Sequence, residues 1–133
     1  MNAQDRADAR DAITGIRYVV PALAWDGLRG VSRDDQFQAR RAAMTDDWQV
    51  KQFCRAIDWL RQARRTRHVT RRRTSYGWKH VAERWHRAIR PEEDYYIGEG
   101  MFIAAALNIG FLVRRLRHYT GVWLNISAAS DDG

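Results

Sequence analysis

Residues 45–60 read TDDWQVKQFCRAIDWL. Thr45, Asp46 and Asp47 make a helix start, because acids are favoured at the positive end of a helix. Val50, Phe53, Cys54, Ile57 and Leu60 then recur at the spacing of one helical face, within about 120° on a wheel. Trp48 and Trp59 project roughly opposite that face. A helix with two apolar faces is expected to be central, or covered by the N-terminal segment.

C-terminal to this helix, residues 64–74 carry β-branched side chains and many arginines without apolar periodicity, so a basic loop is expected. Thr74 or Ser75 then caps a second strong helix, running from Tyr76 to Ile89. Trp78, Val81, Ala82, Trp85, Ala88 and Ile89 fall on one side of it, while Lys79, His80, Glu83, Arg84 and Arg87 line the other. Pro91 ends it. Tyr95, Tyr96 and Ile97 form a short strand candidate. Gly98, Glu99 and Gly100 open a compact apolar helix from Met101 to Asn108, stopped by Gly110 in the left-handed conformation. Phe111 to Leu116 and Val122 to Ile126 read as the strands of a hairpin, and residues 128–133 as a flexible tail.

On the N-terminal side, Gln4 to Ile13 reads as a short solvated helix ending near Gly15. Tyr18 to Val20 is extended, because a residue preceding proline avoids the helical region. Ser32 is the candidate N-cap of a helix reaching Met44, with Phe37 and Met44 on one side. At 133 residues and 45% apolar content, the chain is expected to be one small domain, residues 1–133, with a genuine core. The fold class is mainly α (α+β): a helical domain with a C-terminal β-hairpin. No run of about 18 apolar residues suggests a membrane span. The polar N-terminus and the lone Cys54 suggest a reducing, cytoplasmic setting.

The order helix, short strand, helix, hairpin over residues 75–127 is similar to part of a winged-helix DNA-binding module. That resemblance covers about 40% of the chain and implies that the hairpin is a wing and the helix before it a groove reader. The chain departs from the pattern there. Met101 to Asn108 is nearly all apolar, and only Asn108 has a side chain suited to base edges. The better reader is the helix from Tyr76 to Ile89.

Charge supplies the functional reading. From Arg61 to Arg90 there are eleven cations and a single acid, Glu83, so the segment is +10 in a chain of +7. The remainder is net −3. Self-repulsion makes such a concentration costly, and a polyanion is the usual compensation. Twenty-one of the 23 cations are arginine, whose planar fork grips phosphate bidentately. We therefore expect a non-enzymatic nucleic-acid-binding protein, with duplex DNA favoured over RNA, of the kind that serves as a regulator or accessory factor of a mobile element. Arg64, Arg65, Arg67, Arg71, Arg72 and Arg73 would clamp phosphates, and Tyr76, Lys79, His80, Arg84 and Arg87 would line the helix. Tyr76 and Tyr119 are candidates for stacking on bases.

The alternative is a small inhibitor or adaptor that docks on an acidic protein surface, with Trp48, Trp59 and Tyr119 as anchors; burial of the two tryptophans beneath the first forty residues competes with that role. His80 and Glu83 read as a solvated pair. A third option makes them acid and base of a small enzyme. His86 points away from His80, and His68 and His118 lack neighbouring carboxylates, so no metal and no cofactor are expected. Glu92, Glu93 and Asp94 are expected to answer the charge of Arg87 and Arg90.

Overall fold

The computed structural model describes residues 1–29, 34–117 and 119–132. Helix α1 (Ala3–Val19) leads to a tight hairpin of β1 (Leu23–Ala24) and β2 (Gly27–Leu28), then to α2 (Asp35–Ala42) and a 3-10 turn (Ala43–Thr45). Next come α3 (Asp47–Gln62), β3 (Arg65–Thr74), α4 (Ser75–Ile89) and α5 (Glu99–Asn108). Strands β4 (Val113–Arg115) and β5 (Val122–Ile126) and a 3-10 turn (Ala128–Asp132) complete the chain. The mainly helical α+β class is what forms, with an antiparallel sheet ordered β3-β5-β4.

Helix α5 is the centre. Every residue from Glu99 to Ala106 is buried, and α3, α1, α4 and the β1–β2 hairpin pack around it. Small residues make that possible. Gly100 N–H donates to the Trp25 carbonyl at 2.9 Å, and a Cβ at Gly100 would run into the Ala24 carbonyl. Trp59 of α3 stacks on Trp78 of α4 at 5.9 Å and tilts against Phe102 of α5 at 6.1 Å. Each such side chain taken out of water stabilises the fold by about 2–3 kcal/mol. On the second apolar face expected of α3, Trp59 is thus buried but Trp48 stays exposed, and Gly110 (φ +85°) ends α5 as its position suggested.

Several expectations change. Helix α1 does not stop at Gly15 but reaches Val19. One internal glycine costs only about 1 kcal/mol, and Ile13 and Ile16 dock on the core beyond that cost. Asn2 and Asp5 close a reciprocal capping box at its start. At its end, the Arg41 guanidinium donates to the carbonyls of Arg17, Val20, Pro21 and Leu23. Ser32, the expected cap of α2, lies outside the described residues; Asp34 takes that role, accepting from Gln36 and Phe37 N–H.

The strand expected at Tyr95 to Ile97 is absent. Buried side chains replace a ladder there: Ile97 N–H donates to Glu83 Oε2 (2.9 Å) and Gly98 N–H to Gln52 Oε1 (2.8 Å).

The largest correction concerns residues 64–74, expected as a basic loop. They form β3, paired antiparallel with β5 at Arg65↔Ile126, Thr70↔Leu124 and Thr74↔Trp123, with register shifts between these pairs. An extended backbone sends successive side chains to opposite faces, except between Thr70 and Thr74, where the register shifts and Arg72 and Arg73 meet at the same carboxylate, Asp131. Thr66, Val69, Thr70 and Thr74 suit a half-buried strand. Residues 128–132, expected within a flexible tail, fold into the 3-10 turn, where buried Ser130 accepts from Arg64 N–H at 2.9 Å.

Candidate nucleic-acid interface

Strand β3 runs straight into α4, so the basic segment is one continuous structural unit rather than a loop tied to a helix. Within it the arginines divide into two groups. The first group is committed to the fold. Arg65 donates to the carbonyls of Ile109 (2.6 Å) and Gly110 (3.2 Å) and lies 4.0 Å over the Phe111 ring. It therefore caps the negative end of α5. Arg72 and Arg73 converge on Asp131 at 2.8 and 2.6 Å. Burial alone would raise the Asp131 carboxyl; the hydrogen bonds and charges of the two arginines outweigh it and hold the group below its ordinary range.

Lys79 was expected on the solvated face of α4, and this expectation fails. The residue is only 4% exposed. Its ammonium sits 3.1 Å from Glu83 Oε2 and lies over the rings of Tyr96 (4.6 Å) and Tyr76 (5.3 Å). The cause is the 94–98 segment, which folds back over this part of α4 to reach Glu83. Glu83 is therefore no solvated partner of His80. It is buried, accepts from Lys79 and from Ile97 N–H, and lies 2.7 Å from His80 Nδ1. The pair is a brace between α4 and the 94–98 segment, and it holds the imidazole edge-on against Tyr76 at 4.6 Å.

Among the described residues the second group lacks a carboxylate partner, although Arg87 lies 5.7 Å over the Tyr95 ring. Arg64, Arg67, Arg71, Arg84 and Arg87 are exposed, and among the described residues none has a carboxylate within ion-pair distance. On α4, Tyr76, His80, Arg84 and Arg87 fall within about 80° on a helical wheel and span about 16 Å of axis. Arg67 and Arg71 continue the charge along β3, and Arg64 stands immediately before it. Sequence reasoning missed Arg114, Arg115 and Arg117, all exposed on or next to β4; the signal was their own short run. Arg114 stands opposite Trp123 across the ladder.

Of the anchors proposed for a protein partner, Trp59 is fully buried and serves the core. Trp48 and Tyr119 are exposed. Arg90 is 3.8 Å from Glu93, whereas Asp94 approaches Arg55 rather than Arg87. Among the described residues, no cluster of three His, Cys, Asp or Glu is placed to hold a metal ion, and no helix is long and apolar enough to cross a membrane. Compared with protein-family models, curated proteins and solved structures, the chain matches none of them.

Proposed function

We propose that this chain is a non-enzymatic nucleic-acid-binding protein. The carrying observation is the set of five exposed guanidiniums without carboxylate partners among the described residues: Arg67, Arg71, Arg84 and Arg87 on one continuous strand–helix unit, and Arg64 immediately before it. Phosphates supply the missing counter-charge, and the planar arginine fork can donate to two phosphate oxygens at once.

Duplex DNA is the favoured target. The stripe Tyr76–His80–Arg84–Arg87 lies on a rigid helix of a length that a groove accepts, and the β3 arginines reach the flanking backbone. Helix α5, the groove reader under the winged-helix resemblance, is buried and takes no part. The test is equilibrium binding of generic duplex DNA across a salt series. Steep weakening with salt supports the proposal. Absent or salt-independent binding refutes it and leaves docking on an acidic protein surface in front.

A further inference from the structure

A cleft of about 500 Å³ opens between the N-terminus of α4 and the turn joining β4 to β5, within the range of small-ligand pockets. Tyr76, Leu116, Tyr119, Thr120 and Gly121 line it, with Glu99 among them. The two tyrosines are 57% and 69% exposed, which leaves much of each ring open to a ligand. Tyr76 is held in place by the His80 edge and by the Lys79 ammonium, so this wall is pre-organised.

Glu99 is 6% exposed. Its Oε1 accepts from the Thr120 hydroxyl (2.7 Å) and its Oε2 from the Ser75 hydroxyl (2.8 Å). An ionised carboxylate offers about four acceptor positions, so two remain. No cation lies within ion-pair distance among the described residues. The surroundings are fixed: Ser75 Oγ also accepts from Val122 N–H (3.0 Å), and the Thr120 carbonyl accepts from Leu28 N–H (2.7 Å). The space beside the carboxylate depends on Gly121, where a Cβ would stand 2.5 Å from Glu99 Oε2 and 2.7 Å from Ser75 Oγ.

We infer that this cleft takes an unpaired guanine base, stacked between Tyr76 and Tyr119 with its N1–H and N2–H donors on the Glu99 carboxylate. Guanine is the base whose Watson–Crick edge presents two adjacent N–H donors. Adenine and cytosine each offer one amino group beside an acceptor nitrogen, and that nitrogen would face a carboxylate oxygen. The inference rests on the nucleic-acid reading for the source of the base, an extrahelical or single-stranded residue next to the clamped phosphates.

The test uses neutral nucleosides, so that phosphate attraction plays no part. The ¹⁵N-labelled protein is titrated with guanosine, adenosine and arginine amide in turn, following the amides of Ser75, Glu99, Thr120 and Gly121. Guanosine is expected to shift these resonances with an affinity about tenfold above adenosine, the discrimination typical of one bidentate base contact. Glu99→Gln, which turns one acceptor into a donor, is expected to remove that preference. Tyr119→Leu, on the exposed rim, is expected to weaken both nucleosides, and it provides the reading should the Glu99 variant fold poorly.

Equal shifts with adenosine, no shift at Thr120 and Gly121, or a stronger response to arginine amide each overturn the guanine assignment. The last result would give the cleft to a guanidinium. Salt-dependent binding of fully paired DNA is read separately, so either proposal can fail while the other stands.

Discussion

The division of the arginines makes a quantitative prediction. If Arg64, Arg67, Arg71, Arg84 and Arg87 each neutralise one phosphate, log affinity falls against log salt with a slope of about −4.5. Raising salt fourfold then weakens binding by roughly five-hundredfold. Replacing Arg67, Arg71 and Arg84 together by Ala removes three contacts and is expected to flatten the slope by about 2.7. Replacing Arg72 and Arg73 deletes two charges but frees Asp131, their shared partner. The cluster goes from +1 to −1, but only one of its two guanidiniums exceeds what Asp131 neutralises and could reach a phosphate, so the slope is expected to change by no more than about 0.9. Fluorescence anisotropy of a labelled duplex over a salt series measures both. A Arg72/Arg73 variant that matches or exceeds the triple variant would refute the reasoning, because it would show that Asp131 does not hold those side chains from the phosphates.

Three further outcomes test the fold beneath the interface. Asp131→Asn is expected to cost about 1 kcal/mol at neutral pH. Because the folded carboxyl titrates below its ordinary value of 3.8, its contribution is present above that pH and disappears as pH falls through the depressed value; urea titrations of both proteins at neutral and acid pH should converge at the acid end. Lys79→Met leaves the buried Glu83 short of its cation and is expected to cost about 3 kcal/mol, read by urea unfolding, while the salt slope of the folded variant stays unchanged. Trp59→Ala opens a cavity between Trp78 and Phe102 and is expected to cost about 3–5 kcal/mol, against less than about 0.5 for Trp48→Ala, measured in the same way.

The helices were legible where apolar spacing was strong. Val50, Phe53, Ile57 and Leu60 announce α3, and Trp78, Val81 and Ala82 announce α4, because a 3.6-residue period leaves little alternative. The apolar run of α5 was equally plain. What escaped was set by partners distant in sequence. Residues 65–74 become a strand because β5 offers a ladder, and nothing local in a run of arginines and threonines encodes that partner. Tyr95 to Ile97 carry strand-forming residues, yet Glu83 and Gln52 capture the backbone N–H groups of Ile97 and Gly98. Lys79 and His80 looked solvated on the wheel of an isolated helix, but the returning 94–98 segment covers Lys79. For the interface, composition located the basic segment and could not tell which arginines were spoken for. Asp131, Ile109 and Gly110 decide that, and each is far away in the chain. Glu99 passed as part of a glycine-flanked helix start, since its hydroxyl partners Ser75 and Thr120 come from other elements.

The three-stranded sheet leaves β3 on one rim, paired on a single side by β5. An open rim is a template on which another chain can add a strand. Here Arg67 and Arg71 are exposed along the strand and the register shifts twice along its length, so a second copy approaching rim to rim meets like charge on an uneven backbone. The same residues proposed to draw in phosphate also keep copies of the protein apart. Concentrated salt shortens the reach of that repulsion to about 3 Å at 1 M, so the high end of a salt series would weaken this guard against self-association along with any phosphate contact.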